Sequence, residues 1–292
     1  MTRVVYVNGQ YLAYASAAVH VEDRGFQFAD GVYEVCEVRD GSLVDERRHM
    51  HRLLRSLKEL SIGEPMGLRT IGVILRETIR RNRVKDGIVY LQVTRGVARR
   101  DFAFPAPTVS PSLVCFARSL GRGKGDKRAA TGVSVVTVPD IRWKRVDIKT
   151  TGLLAQALAR QHAKEAAADE AWMVDADGFV TEGASCNAWI VTNTGNLVTR
   201  PAESGILRGI TREVAMEAAR ARGLNFEERL FTVEEAKSAR EAFQTSASGL
   251  VMPVVTIDGQ TIGSGKPGPV ALGLRKVYHS VAEFSSPHRL LA

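Results

Sequence analysis

The sequence predicts an α+β protein of two domains, in which the sheets are largely antiparallel or mixed. The chain has 292 residues, which is more than one hydrophobic core usually serves. Strand-like segments joined by short turns outnumber strand–helix–strand units, and this argues against a doubly wound parallel sheet. Residues 121–132 contain four glycines and many charges, so we expect an interdomain linker there, between domains at residues 1–120 and 133–292.

The first 120 residues contain two hairpin signals and two amphipathic helices. Asn8-Gly9 and Asp40-Gly41 are dipeptides typical of tight hairpin turns, and each follows a strand-like run. Apolar residues recur on one helical face in residues 47–60 and again in residues 68–81. The predicted strands are residues 4–7, 10–14, 32–39, 87–94 and 112–118, and residues 95–107 form a long loop rich in Arg and Pro.

Strands and helices are also predicted through the C-terminal domain. Thr232 and Glu235 have the spacing of a capping box, and Gly223 is a typical helix stop. The predicted strands are residues 133–138, 170–174, 179–181, 187–191, 196–199, 251–257 and 260–262. The predicted helices are residues 153–167, 210–221, a short helix opening at Thr232, and residues 270–283.

Composition excludes several classes of protein. The net charge is +8, but the arginines are spread along the chain and no nucleic-acid motif is present, so nucleic acid is not the expected partner. No apolar run is long enough for a membrane span and the N-terminus lacks a signal peptide, which predicts a cytoplasmic protein. Cys36, Cys115 and Cys186 lack metal-ligand spacing, so we expect buried free thiols and no metal site.

Lys149 is the candidate catalytic residue. It follows a strand-like stretch and precedes two threonines, a glycine and a helix that the apolar run from Leu153 predicts to be buried. A lysine in such a place can be desolvated, and desolvation lowers the amine pKa, so that the neutral amine can form a Schiff base with a carbonyl. The alternative, from this stretch alone, is an ordinary exposed lysine.

Three further stretches contain the groups that would complete such a site. Glu182 comes at a strand end and is either a buried, paired carboxylate or a solvated turn residue. Ile210 and Thr211 open a helix whose free N–H groups suit an anion, and residues 245–249 form a second hydroxyl-rich turn. An amine, a carboxylate and two anion-binding turns are what pyridoxal phosphate requires, and no competing metal, Walker or serine-hydrolase motif is present.

Seven segments give the chain a resemblance to a known family. They are EDRGFQFADGVYEV (22–35), HRLLRSL (51–57), QVTRG (92–96), DIRWKRVDIK (140–149), TEGASCN (181–187), LRGITR (207–212) and TSAS (245–248). In this order and spacing they resemble the class IV aminotransferases, the fold-type IV pyridoxal phosphate enzymes, and most closely the bacterial D-amino acid aminotransferases. The resemblance covers nearly the whole chain and implies two α/β domains, usually in a homodimer.

The resemblance assigns roles to the candidate residues. It implies that Lys149 forms the Schiff base with the cofactor, from the C-terminal domain, and that Glu182 partners the pyridine nitrogen. The phosphate ligands that it implies are Arg52, Ile210, Thr211, Ser246 and Ala247.

The substrate residues include departures from the family pattern. Tyr33 is expected near the cofactor and the substrate carboxylate, and Arg100 matches an arginine that helps to bind that carboxylate from the neighbouring subunit's loop. Two residues later the D-amino acid enzymes carry a histidine, where this chain has Phe102. Ala247 stands where a phosphate-turn threonine is found, and Trp189 where Phe or Tyr is usual.

The sequence thus predicts a transaminase that moves an amino group from a D-amino acid to 2-oxoglutarate or pyruvate by ping-pong kinetics. Alternatives of the same fold are a branched-chain aminotransferase, an (R)-amine transaminase and an aminodeoxychorismate lyase. An alternative of a different class is a cofactor-free basic binding protein.

Overall fold

The computed structural model of the protein describes residues 3–121, 123–203 and 205–285. The helices are α1 (Arg24–Phe28), α2 (Glu46–Glu59), α3 (Leu68–Asn82), α4 (Lys124–Thr131), α5 (Leu154–Glu165), α6 (Ile210–Ala221), α7 (Val233–Lys237) and α8 (Pro269–Val281). The strands are β1 (Val4–Val7), β2 (Gln10–Ala13), β3 (Gly31–Arg39), β4 (Ser42–Val44), β5 (Gly87–Thr94), β6 (Ser112–Ser119), β7 (Val133–Pro139), β8 (Glu170–Val174), β9 (Val180–Gly183), β10 (Asn187–Val191), β11 (Leu197–Thr199), β12 (Phe226–Glu228), β13 (Glu241–Ser246), β14 (Leu250–Ile257), β15 (Gln260–Thr261) and β16 (Phe284–Ser285).

The chain divides into two compact units. The first comprises Met1–Arg122, Ile148–Gly152 and Glu283–Ala292, and the second comprises Gly123–Asp147 and Leu153–Ala282. Among the described residues, no helix combines the length and the apolar character that a membrane span needs.

The first unit is built on one antiparallel sheet with the strand order β16-β4-β3-β5-β6-β1-β2. Helices α2 and α3 cover one face of this sheet, and their apolar stripes form a core with the inward side chains of the strands. Met50, Leu53 and Leu57 of α2 are all buried, as the helical period predicted.

The tight turns of the first unit follow directly from their sequence. Asn8 and Gly9 have φ angles of 44° and 97°, and Asp40 and Gly41 have φ angles of 48° and 78°. Positive φ at both central residues matches the right-handed twist of a two-residue hairpin, and Asn, Asp and Gly tolerate it best. Both predicted hairpins are confirmed.

The second unit contains a mixed sheet with the order β12-β11-β10-β13-β14-β7-β8-β9, and β15 pairs with β14. The pairs β11/β12, β14/β7 and β7/β8 are parallel, and the other pairs are antiparallel. The largest apolar side chains of its interior are fully buried: Trp172, Trp189, Phe231 and Phe243. The predicted α+β class with antiparallel and mixed sheets is confirmed.

The segment Ile148–Gly152, which carries Lys149, packs with the first unit, although the sequence placed it in the C-terminal domain. Thr150 forms an antiparallel bridge with Val32, and the Tyr33 N–H donates to the Lys149 carbonyl at 3.0 Å. These backbone bonds join residues that lie far apart in sequence, and a local pattern carries no signal for them.

Residues 121–132, which we expected to form a linker, contain helix α4. Three of the four glycines flank the helix, since Gly121, Gly123 and Gly132 have φ of 81°, 71° and 81°, and only Gly125 lies within it. Between them, Lys, Arg and Ala are good helix formers, and Ala129 is buried.

The helix after Lys149 has a buried face, but the leucines that predicted its burial do not form that face. Helix α5 contacts the second unit's sheet through Ala159 and Ala163, which pack with Ala171 of β8. The leucines lie on the other side of the helix, and Leu154 is 75% exposed and Leu158 is 54% exposed in the single chain. The small alanine side chains allow the helix and the sheet to approach closely. Alanines therefore form the buried face of α5, whereas the prediction assumed that leucines would form it.

We expect Gly87→Ala to destabilise the first unit by about 1–3 kcal/mol, the usual cost of overpacking. A Cβ atom on Gly87, in β5, would lie 2.1 Å from the Arg118 carbonyl oxygen of β6. The measurement is the free energy of unfolding in denaturant. Gly67→Ala is the matched control, because a Cβ there meets no atom within 4 Å. Equal stability of the two variants would contradict the close approach of β5 and β6.

Candidate active site

Lys149 and Tyr33 lie together in the first unit. The Lys149 Nζ is 4.2 Å from the centroid of the Tyr33 ring, a cation–π geometry, and the lysine is half-buried. Strand β3 holds Tyr33, and the Lys149 segment is bonded to the start of the same strand. The sequence predicted both residues at the site, and the structure brings them together.

Tyr33 is itself the first ring of an aromatic row. It stacks on Tyr90 of β5 with 5.4 Å between centroids, and Tyr90 stacks on Phe116 of β6 at 4.7 Å. These rings lie on the sheet face opposite to the helices, because the intervening residues of each strand point into the α2–α3 core. Burial, followed by the nearby Tyr33, raises the pKa of Tyr90, so its phenol stays protonated. The row gives Lys149 a fixed, neutral surface.

Arg52 is held by a buried carboxylate that sequence reasoning missed. Its Nε and Nη2 donate to the two oxygens of Glu34 at 2.7 and 2.9 Å, and His49 Nδ1 lies 2.7 Å from the same carboxylate. Burial would raise the pKa of Glu34, but Arg52 and then His49 outweigh it and hold that pKa well below its usual range. The signal was available: Glu34 interrupts the apolar residues on the core-facing side of β3.

The loop of residues 95–107 is anchored by two arginines. Arg24 and Arg95 both bind Asp30, with Nε–Oδ2 distances of 2.8 and 2.7 Å. Arg24 Nη1 also donates to the Asp101 carbonyl at 2.6 Å, and the Arg95 guanidinium carbon is 3.6 Å from the centroid of Phe104. Two cations sharing one carboxylate therefore fix the conformation of the loop.

Arg100 and Phe102 lie close together on this loop. The Arg100 guanidinium carbon is 5.1 Å from the Phe28 ring centroid and 5.7 Å from that of Phe102. The two rings are 5.6 Å apart, and Phe102 is 81% exposed. Arg100, the predicted cation, and Phe102, the predicted apolar side chain, are thus neighbours on this loop of the first unit.

Glu182 lies in the second unit, at β9, and is buried. Arg142 Nη1 donates to its Oε1, Asn187 Nδ2 donates to Oε2 at 2.9 Å, and the Leu207 N–H lies 3.1 and 3.2 Å from the two oxygens. The solvated-turn alternative is therefore wrong. An ionised carboxylate is stable in this position because donors surround it.

Arg142 is in turn held by Asp140. The Arg142 Nε and Nη2 donate to Asp140 at 2.9 and 2.7 Å, and Thr181 Oγ1 donates to the same carboxylate at 2.8 Å. Burial would raise the pKa of Asp140, but Arg142 and then Thr181 outweigh it and lower that pKa. Burial would lower the pKa of Arg142, but Asp140 and Glu182 outweigh burial and hold that pKa above its usual value. Arg142 and Asp140 were not predicted, although both lie in the DIRWKRVDIK segment.

The predicted phosphate turns also lie in the second unit. Ile210 and Thr211 are buried in the first turn of α6, where an α-helix leaves N–H groups without intrahelical partners. Gly209, just before them, touches Asn187: a Cβ on this glycine would lie 2.0 Å from Asn187 Oδ1. Asn187 therefore connects the Glu182 carboxylate with the start of α6.

Ser246 and Ala247 are half-buried where β13 turns into β14. Trp189, which stands where Phe or Tyr is usual, donates from its indole Nε1 to Thr245 Oγ1 at 3.0 Å, next to that turn. The roles of Arg52, Ile210, Thr211, Ser246 and Ala247 toward a phosphate stay predictions.

Comparisons with known proteins identify the family of the chain. Residues 31–257 match the family model described as Amino-transferase class IV. The chain is 38% identical over 286 residues to the D-alanine aminotransferase of Staphylococcus haemolyticus, covering 98% of this chain and 100% of that protein. It is 40% identical over 266 residues to the D-alanine aminotransferase of Bacillus licheniformis, covering 91% and 92%.

The fold has close counterparts among solved structures. The branched-chain amino acid aminotransferase of Escherichia coli superposes with a TM-score of 0.89 at 22% identity, covering 99% of this chain and 100% of that one. The branched-chain aminotransferase of Thermoproteus uzoniensis, solved with norvaline, gives a TM-score of 0.84 at 27% identity and covers 96% and 94%. The family model and the two relatives define the class of protein as an aminotransferase. The chain belongs to the class IV aminotransferase family.

We expect Arg142→Met to destabilise the second unit by about 3–5 kcal/mol, because it leaves the buried Glu182 and the half-buried Asp140 without their shared cation. Denaturant unfolding measures this change. Arg145→Met is the matched control: Arg145 pairs with Asp147 at the surface, where an ion pair contributes about 1 kcal/mol or less. A loss no larger than that of the control would show that the Glu182 network does not need Arg142.

Proposed function

We propose that the protein is a pyridoxal-phosphate-dependent aminotransferase that moves the amino group of a D-amino acid to 2-oxoglutarate or pyruvate. The observation that carries the proposal is the Lys149 amine over the Tyr33 ring, on a segment bonded to β3. The relatives named D-alanine aminotransferases, at 38–40% identity over at least 91% of the chain, support the D-amino acid assignment.

The donor set fits pyridoxal phosphate. Lys149 supplies a half-buried amine, and Glu182 supplies a carboxylate that its donors keep ionised and that suits a protonated pyridine nitrogen. The first turn of α6, the turn at Ser246, and Arg52 supply N–H groups for the phosphate. When bound, the cofactor supplies the aldehyde that takes up the amino group and the ring that accepts electrons from the substrate Cα.

The chain's own residues then move the proton. Lys149 would act as the general base that takes the α-proton from the donor at its Nζ, and then as the general acid that returns a proton. Tyr33 limits the positions of the lysine amine, and the fixed negative charge of Glu182 favours a protonated ring nitrogen. Because the keto acid product leaves before the second keto acid binds, the kinetics are ping-pong.

The loop of residues 95–107 sets the donor preference in this proposal. Arg100 supplies the charge and the bidentate geometry that a substrate α-carboxylate requires. Phe102 cannot donate a hydrogen bond and adds apolar surface beside Arg100. This specific observation favours one second candidate function, the transamination of primary (R)-amines, as a side activity.

We also propose that the enzyme works as a homodimer in the cytoplasm. Each unit exposes large apolar side chains in the single chain, Phe26 and Phe102 in the first and Leu154 and Leu158 in the second. Exposed apolar side chains of this size are typical of protein interfaces when they cluster. Light scattering of the purified protein measures the mass, and a monomer at micromolar concentration would contradict the proposal.

A donor panel tests the main proposal. D- and L-amino acids and (R)- and (S)-amines are each assayed with 2-oxoglutarate and with pyruvate. We expect D-amino acids to be the best donors. A preference for L-branched-chain donors would favour the branched-chain alternative, and pyruvate release without a keto acid acceptor would favour the lyase. A purified protein that binds no pyridoxal phosphate would favour the cofactor-free alternative.

We expect Lys149→Ala to reduce D-alanine transamination by about 10²–10⁴-fold, the typical contribution of general acid–base catalysis. The visible absorbance of the protein-bound cofactor should change as well, because the covalent link is lost. Lys144→Ala is the matched control, since Lys144 is exposed on the same segment. A near-parental rate of the Lys149 variant would refute the assignment of the nucleophile.

We expect Phe102→His to lower the KM for D-alanine by about tenfold, since one hydrogen bond to a charged group is restored, and to lower (R)-amine activity relative to it. Arg100→Ala should impair D-alanine more than an (R)-amine. Phe104→His is the control on the same loop, because Phe104 lies against Arg95 and not against Arg100. If both variants changed the two donor classes by one factor, the loop would not bind the carboxylate.

A further inference from the structure

The turn of residues 245–249 is closed by hydrogen bonds across it. The Gly249 N–H lies 3.1 Å from Ser246 Oγ and 3.3 Å from the Ser246 carbonyl, so it donates back across the turn. The next residue, Leu250, has a φ of 56°, a left-handed conformation that is costly for a leucine. Such a conformation persists only where neighbouring contacts hold it.

Arg275 holds the exit of this turn. It projects from α8, and its Nη1 donates to the Gly249 carbonyl at 2.6 Å and to the Val251 carbonyl at 2.9 Å. Its Nε and Nη2 donate to Asp126 of α4 at 3.1 and 2.8 Å. The guanidinium therefore binds the backbone on both sides of Leu250 and is itself fixed by a carboxylate.

Trp189 holds the start of the turn. Its indole donates to Thr245 Oγ1, and its ring stacks on Phe243 with 5.4 Å between centroids. The side chain is fully buried, so the hydrogen bond is protected from water. The turn is thus fixed at both ends by side chains from different elements.

We propose that Arg275 and Trp189 are positioning residues for the binding of the cofactor phosphate by the turn of residues 245–249. The inference rests on the proposed function, because it takes the ligand of this turn to be a phosphate. Of the two residues assigned to the phosphate, Ala247 offers no hydroxyl and Ser246 Oγ already accepts from the Gly249 N–H, so we take their backbone N–H groups as the main donors to the anion. Backbone N–H groups converge on one point only while the turn keeps its shape. Arg275 and Trp189 fix that shape without contacting the ligand.

The test compares two ligands that differ only in the phosphate, pyridoxal 5′-phosphate and pyridoxal. Equilibrium dialysis measures the Kd of each for the cofactor-depleted full-length protein and for Arg275→Gln and Trp189→Phe. We expect each variant to bind pyridoxal 5′-phosphate about tenfold more weakly, the effect of losing charge-assisted or buried hydrogen bonds, with the pyridoxal Kd unchanged. Damage to the fold would weaken both ligands alike.

Arg229→Gln is the matched control. Arg229 also joins a carboxylate and a backbone carbonyl, those of Glu235 and Leu230, but it does not contact the turn. If Arg275→Gln does not fold, Arg275→Lys keeps the charge and at least one donor, and we expect it to give an intermediate loss for pyridoxal 5′-phosphate alone.

Two results would overturn the proposal. One is an equal loss of affinity for both ligands, and the other is an unchanged preference for pyridoxal 5′-phosphate in both variants. In these cases the proposed function stands, because the parent still prefers the phosphorylated ligand. A parent protein that binds both ligands equally would overturn the proposed cofactor and the positioning roles together.

Discussion

A carboxylate stays ionised inside a protein only where hydrogen-bond donors replace the water that it has lost. In the second unit, side chains and a backbone N–H from separate segments satisfy this condition for Glu182. Its donors come from three separate places: Arg142 from the segment after β7, Asn187 from the start of β10, and the Leu207 N–H from the stretch before α6. Asn187 also packs against Gly209, so the same requirement sets the position of the α6 N-terminus. In the first unit, Glu34 imposes the same condition on His49 and Arg52.

The elements that the sequence predicted well are those whose cause is local. The hairpins at Asn8-Gly9 and Asp40-Gly41 follow from the φ angles that these residues tolerate, and α2 follows from its apolar period. The differences have longer-range causes. Helix α4 formed where glycines suggested a linker, because three of the four glycines flank the helix and its Asp126 pairs with Arg275 of a distant helix. Helix α5 meets the sheet through alanines, which no hydrophobicity pattern marks as a contact surface.

The residues of the candidate site also divide into those that the sequence predicted and those that it missed. Lys149, Tyr33 and Glu182 were predicted because their residue types and motifs carry the chemistry. Asp140 and Arg142 were missed because Glu182, the partner of Arg142, lies forty residues away in sequence. The position of β9 in the sheet brings the two side chains together, and a local sequence pattern does not show it. Glu34 was missed although it breaks the apolar face of β3, a signal that a strand pattern can carry. An acidic residue on the buried face of a strand, such as Glu34, is therefore a useful marker of a neighbouring cation.

The return of the chain to the first unit at Ile148–Gly152, and again at Glu283–Ala292, has a consequence for biosynthesis. When residue 122 leaves the ribosome, the strand β3 still lacks its bridge to Thr150, and β4 still lacks its neighbour β16. The nascent N-terminal part can form the strands β1 to β6 of its sheet, but the neighbour of β4 is supplied only by residues 284–285. A chain that lacks residues 284–285 therefore leaves β4 as an open sheet edge, the kind of surface that promotes aggregation.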